Sequence, residues 1–190
     1  MILPVLKFGC PVLRQKGARI ESITAGIREL ITDMKDTMYA AKGIGLAAQQ
    51  VGKALQLAVI DVRGATDRPS TLHLGGEPAD VADFMPVVLI NPHVKPAADL
   101  VEGPEGCLSF PEIYADVSRP ESIEVTALDE SGKKISFRCG GLLARAIQHE
   151  ADHLNGILFI DRISTMKKKE LKPELDELQA ATREALKKKV

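Results

Sequence analysis

Residues 122–156, SIEVTALDESGKKISFRCGGLLARAIQHEADHLNG, decide the fold. Ile123, Val125 and Ala127 alternate with Glu124 and Thr126, and Ile135 and Phe137 alternate with Ser136 and Arg138. A side-chain period of two is that of a strand with one buried face, so Ser122–Leu128 and Lys134–Arg138 are predicted strands. Between them DESG (129–132) supplies turn residues, which makes the pair an antiparallel hairpin. Gly140 and Gly141 break the second strand, and LLARAIQHEADHL continues as a helix that Asn155–Gly156 ends.

Working outward, Thr24–Lys42 carries Ile27, Leu30, Ile31, Met34 and Met38 at the spacing of a helix with one buried face. Thr24 is its predicted cap, and Gly43 its predicted left-handed end. QLAVIDV (56–62) and PVVLINP (86–92) read as strands. Between them, residues 63–85 are rich in Gly, Pro, Asp and Ser and longer than most connections in compact domains. They form either a mobile excursion or a locally folded flap. Helices and strands mix without a β-α-β rhythm and no repeat is present, so the expected class is α+β. Antiparallel sheets would pack around a central helix carrying HEADH, with one helix N-terminal and another C-terminal to this core.

With 190 residues, 45% of them hydrophobic, the chain can bury a core without disulfide staples. Its three cysteines are odd in number and widely spaced, which excludes a disulfide framework and favours a reducing compartment. A net charge of −1 gives no overall basic footprint for specific nucleic-acid binding. The start, MILPVLKFGCPVLRQKG, is unlike a signal or transit peptide, and no apolar run approaches the roughly 20 residues of a membrane span. The expected location is cytoplasmic.

His149-Glu150-Ala151-Asp152-His153 is an HExxH sequence within the predicted helix. Positions i and i+4 lie one turn apart on one face, so both imidazoles can reach one metal ion, with Glu150 beside a bound water. A third protein ligand is needed. Glu170 and Glu174 lie downstream in a Lys-rich segment. Cys107, in Glu105-Gly106-Cys107-Leu108-Ser109, is the better candidate, because a thiolate on irregular backbone is a soft, anionic donor. Cys10 and Cys139 read as small buried hydrophobes. In Gly43-Ile44-Gly45-Leu46-Ala47-Ala48-Gln49-Gln50, small residues let backbone approach a ligand closely.

Together, GIGLAAQQ, EGCLS and QHEADH, in this order, resemble the three motifs of the peptide deformylase family. The resemblance extends to GCPVLR near the start and to DHLNGILFIDR (152–162), so it covers most of residues 1–165. It implies that Cys107, His149 and His153 hold one divalent metal with water in the fourth position. The metal would be Fe2+ in life, with Zn2+, Ni2+ or Co2+ able to replace it. Such an ion lowers the pKa of its water from about 15.7 toward roughly 7. By resemblance, the resulting hydroxide attacks the formyl carbon of an N-formylmethionyl nascent peptide and formate leaves. Glu150 would act as base and then acid, while the Gln50 side-chain amide and the Leu108 backbone N–H stabilise the oxyanion. Leu142 and Ala146 share the metal-facing side of the helix. With Ile44, Gly45 and Leu108 they would form a substrate pocket of methionine size. Arg145, at i−4 from His149, reads as a solvated charge, and His73 as a solvated loop residue.

This sequence departs from the commoner family pattern at Cys10, at Tyr114 (where some relatives carry arginine) and in the long 63–85 excursion. The expected organisation is a single catalytic domain over 1–165, with a basic amphipathic helix or tail over 166–190. Residues 167–190 carry eight Lys/Arg and five Asp/Glu, a charge of +3 against −4 for the rest. Two readings stay open for the tail. It is a helix docked by Leu171, Leu175 and Leu178, or a basic element that guides the enzyme to the ribosome.

Overall fold

In the computed structural model, which describes residues 1–188, the hairpin of residues 122–140 sits mid-sheet. The strands in chain order are β1 (Gly45–Ala47), β2 (Leu57–Ile60), β3 (Ser70–Leu74), β4 (Glu77–Pro78), β5 (Val87–Pro96), β6 (Leu100–Cys107), β7 (Phe110–Pro120), β8 (Ser122–Leu128) and β9 (Lys134–Gly140). The helices are α1 (Ala25–Ala40), α2 (Val81–Phe84), α3 (Gly141–Leu154), α4 (Thr165–Glu170) and α5 (Lys172–Lys187). Seven strands form one sheet in the order β1-β2-β5-β8-β9-β3-β4, and β6 pairs with β7 apart from it. Every strand pair is antiparallel. The class is α+β.

The apolar runs of β2 and β5 are buried on both faces. Ala58, Ile60 and Leu89 face a core built with Leu143, Ile147 and Leu154 of α3. Leu57, Val59, Val88 and Ile90 face a second core built with Ile31, Met34 and Met38 of α1. A strand sandwiched between two helices needs apolar residues at successive positions, which is why these two read as continuous runs. By contrast β8 and β9 alternate, with Ile123 opposite Cys139 and Val125 opposite Phe137. Their turn is fixed by Asp129, whose carboxylate accepts from the Ser131 and Lys133 backbone N–H groups.

Thr24 caps α1, its hydroxyl accepting from Ile27 N. The left-handed residue at the end of α1 is Lys42 (φ 55°), one position earlier than expected at Gly43. The Gly43 N–H closes the helix on Met38 O, a bond that spans the left-handed residue before it. Gly156, with φ 73°, does follow the end of α3 as expected.

The 63–85 excursion is a folded flap. Its β3 adds to the sheet beside β9, placing Leu72 opposite Cys139, and Phe84 packs edge-on against Phe137 at 5.0 Å. His73 therefore belongs to a strand and is half-buried, not a solvated loop residue as the composition suggested. The hairpin β6–β7 was not foreseen, because Gly103, Pro104 and Gly106 in β6 and Pro111 in β7 read as loop. Phe110, Ile113 and Val117 of β7 form a third core with Leu158, Phe159, Leu171 and Leu175, which docks the start of α5. Among the described residues no helix is long and apolar enough to cross a membrane.

Candidate active site

Helix α3 lies across the large sheet with its Leu143 and Ile147 fully covered. One turn apart near its end, the His149 and His153 rings meet edge to face, 5.1 Å between centroids. Cys107 arrives from β6, where the pairing with β7 shifts register between Gly106 and Cys107. A bulge of this kind re-aims a side chain. The Cys107 Sγ lies 3.3 Å from His153 Nε2, and the three residues offer donor atoms all within 4.8 Å of one another. Among the described residues this is the one such group. Glu170 and Glu174 are exposed on α4 and α5 and take no part in it.

The Nδ1 of His149 lies 2.9 Å from Glu105 Oε2, so this nitrogen donates to the carboxylate and Nε2 is left for an ion. Glu105 is buried and gripped by Arg119, whose Nη2 is 2.9 Å from Oε2, and by Arg145, whose Nη1 is 3.0 Å from Oε1. Burial opposes ionisation of Glu105. The bonds from His149 and Arg119 outweigh it and hold the carboxyl down at about 2. Arg119 also donates to Asp152 Oδ2 at 2.9 Å, and Asp152 accepts from Arg162. Arg145 is not the solvated charge its sequence position suggested. It is buried, and it donates to Val117 O at 2.7 Å and Val101 O at 2.9 Å besides Glu105. The backbone of the unforeseen hairpin supplies those acceptors.

Glu150 is 4% exposed, and burial pushes its carboxyl up to about 7. Its Oε2 and the Nδ1 of His153 are buried without a hydrogen-bond partner among the described residues. A thiol and two imidazoles brought this close together make a compact S/N donor set of the kind that suits iron or zinc. Gly45 makes room for Glu150, since a Cβ there would fall 2.3 Å from Glu150 Oε1. Gln50 is oriented by its own Oε1, which accepts from Ala47 N at 2.9 Å. Its Nε2 therefore faces Cys107 Sγ at 3.6 Å and Ser109 Oγ at 3.2 Å.

A cavity of about 540 Å³ opens on this group. Ile44, Gly45, Gln50, Leu108, Leu142 and Ala146 line it, together with Cys107, His149 and Glu150. Every residue that the resemblance assigned to the site is thus in the cavity wall except His153, which is 1% exposed and touches Cys107. Glu105, Arg119 and Asp152 were missed as participants. Two of them sat inside the motifs, Glu105 before Gly106-Cys107 and Asp152 before His153. Arg119 carried no local signal.

The polypeptide deformylase family model matches residues 2–169. The chain belongs to the peptide deformylase family. A peptide deformylase of Methylacidiphilum infernorum is 46% identical over 179 residues, covering 94% of each chain. One of Opitutus terrae is 43% identical over 191 residues, covering 98% of each. Among solved structures, a peptide deformylase from Synechococcus elongatus in complex with actinonin superimposes with a TM-score of 0.75 at 41% identity, covering 95% of this chain and 85% of that one. The Thermus thermophilus enzyme gives a TM-score of 0.80 at 36% identity, covering 95% and 99%. This chain is accordingly an enzyme, a peptide deformylase and a metal-dependent hydrolase of protein biosynthesis.

Proposed function

We propose that the enzyme removes the formyl group from N-formylmethionyl nascent polypeptides, with Cys107, His149 and His153 as metal ligands. The observation that carries this reading is the convergence of three donor atoms within 4.8 Å beside a buried Glu150. The ion is Fe2+ in life, with Zn2+, Ni2+ or Co2+ able to take its place. When bound, it supplies the Lewis acidity that makes a water nucleophilic at neutral pH.

The chain's own residues do the rest. Glu150, held near neutrality by burial, takes a proton from the attacking water and delivers it to the departing amine. Gln50 Nε2, fixed by the Ala47 N–H, and the Leu108 backbone N–H donate to the oxygen of the formyl group as charge builds there. Ile44, Leu142 and Ala146 give the methionine side chain an apolar wall, and Gly45 lets the peptide backbone come close. The test is formate release from formyl-Met-Ala-Ser by anaerobically prepared protein. Activity is expected to vanish after EDTA and return with Fe2+ or Ni2+. A metal-loaded protein that releases no formate overturns the proposal.

Residues 1–165 are the proposed catalytic unit and 166–190 a basic terminal segment, whose Lys189 and Val190 lie outside the described residues. Its cations suit an anionic ribosomal surface. The three free cysteines suit a reducing cytosol. Deleting the tail would uncover the Leu171 and Leu175 contacts, so charge reversal of Lys168, Lys169 and Lys187 is the cleaner test. Ribosome co-sedimentation at low salt is expected to weaken, and unchanged co-sedimentation removes the targeting role.

A further inference from the structure

The flap of residues 63–85 is tied to the helix that carries the two histidines. Leu142 N donates to Pro69 O and Leu143 N to Ser70 Oγ, both at 3.0 Å. The contact is close, since a Cβ on Gly141 (φ 65°) would fall 2.2 Å from Pro69 O. Arg68 immediately precedes this anchor, so its backbone is fixed relative to α3. It reaches across to β6, where its Nη1 is 3.4 Å from Pro104 O, and it lines the active-site cavity.

Arg14, Arg63, Arg119, Arg145 and Arg162 are each in an ion pair. Arg68 is in none among the described residues, and its one long hydrogen bond leaves most of the guanidinium free. Lys7 and Lys42 also line the cavity, against Glu112 as the one carboxylate there besides Glu105 and Glu150. Glu105 is already consumed by Arg119, Arg145 and His149. Pro104 stands three residues before Cys107, and a strand advances about 3.3 Å per residue, so Arg68 meets β6 roughly 10 Å from the thiol. That is about the reach of three extended residues, formyl-methionine and the two that follow it.

We propose that Arg68 is a specificity-determining residue that favours substrates bearing a carboxylate within the two residues after formyl-methionine. The proposal rests on the deformylase reading of the same cavity and extends it to sequence preference. The carboxylate can be an acidic side chain or the free terminus of a short peptide. The Pro69–Leu142 anchor makes the flap a wall of the substrate channel.

The test uses metal-loaded enzyme and C-terminally amidated peptides. Formyl-Met-Glu-Ser and formyl-Met-Ala-Glu are compared with their Gln counterparts, and formyl-Met-Ala-Ser is run as amide and as free acid. For a part-exposed ion pair the expected advantage of Glu over Gln is about two- to fivefold in kcat/KM at one of the two positions. Arg68→Gln should abolish this Glu-over-Gln ratio, and Arg68→Lys should restore part of it. A free-acid advantage that disappears in Arg68→Gln without a side-chain preference assigns Arg68 to the terminal carboxylate. Equal rates for Glu and Gln peptides and for acid and amide in the wild type overturn the proposal. So does a preference that survives Arg68→Gln but is lost in Lys42→Gln. Failure of every peptide to release formate would instead overturn the deformylase reading.

Discussion

The carboxylate of Glu105 links His149 Nδ1, at 2.9 Å, to the buried guanidinium of Arg119. The carboxylate fixes the imidazole's tautomer and its direction, so the ion-facing nitrogen is presented without a rotamer search. Glu105→Gln keeps an acceptor oxygen but removes the charge, leaving Arg119 and Arg145 without their shared carboxylate. Metal affinity is expected to fall about 10- to 100-fold, measured by competition with a chelator. The melting temperature should drop as well, because stranding a buried charge is costly. Wild-type metal affinity in this variant would show that Glu105 does not orient the ligand.

A second prediction concerns Gly45 and Glu150. A methyl at position 45 would overlap Glu150 Oε1, so Gly45→Ala must displace the carboxylate or the strand. Turnover of formyl-Met-Ala-Ser should fall about 100-fold, as for a catalytic group moved by an ångström, while metal content stays near stoichiometric. Glu150→Gln is the companion variant. It should keep its metal and lose turnover by roughly 100-fold or more, and loss of the metal instead would make Glu150 a ligand.

What the sequence made legible follows from how local each signal is. The helix α3 and the hairpin before it announce themselves by period, and the three residues proposed to hold the metal stand out by spacing and by motif. The hairpin β6–β7 was hidden because Gly103, Pro104 and Gly106 are turn-forming residues, used there as strand next to a ligand site. Arg145 was misread for a related reason. Its acceptors are backbone carbonyls of that hairpin, and a helix pattern cannot show what packs on it. Arg119 and Glu105 are 14 residues apart; the register sets Arg119 opposite Val101, and its long side chain reaches along the hairpin to Glu105, which no motif encodes. Lys42 in place of Gly43 reflects a cap that tolerates a non-glycine residue once the Gly43 N–H closes on Met38 O.

A third prediction follows from Cys107. Its sulfur is half-buried in the wall of an open cavity, so oxygen can reach it. A thiolate on ferrous iron is exposed to oxidation, and an oxidised sulfur is a poor ligand. The iron form should lose activity in air faster than nickel or zinc forms, with oxygen added to Cys107 detectable by peptide mass analysis. Equal lifetimes for all three metals, or oxidation confined to Cys10, would count against Cys107 as a ligand. Cys139 is a poor candidate for this damage, since burial pushes its thiol up to about 12.

The last prediction concerns pH and the loop that carries Gly45. Asp61, at the end of β2, is 6% exposed, and its backbone N–H donates to Ile44 O at 2.9 Å. Its carboxylate accepts from Arg63 Nη2 at 2.6 Å and from the Tyr39 hydroxyl at 2.8 Å, which ties the end of α1 to the cavity loop. Burial alone would raise this carboxyl, but the bonds from Arg63 and Tyr39 win and hold it below the usual carboxylate range. A depressed native pKa means that the contribution to stability is fully present above the unfolded value of about 3.9 and is lost as pH falls through the native value. Arg63 is 46% exposed, so solvent screening keeps the effect small. Asp61→Asn should therefore lower the urea midpoint at pH 7, and the gap to wild type should close steadily as pH drops below about 4. Comparing the two proteins at each pH cancels the shared loss of metal from protonated ligands. A gap that is the same at pH 3 and pH 7 would mean that Asn disturbs packing and that the charge of Asp61 contributes nothing.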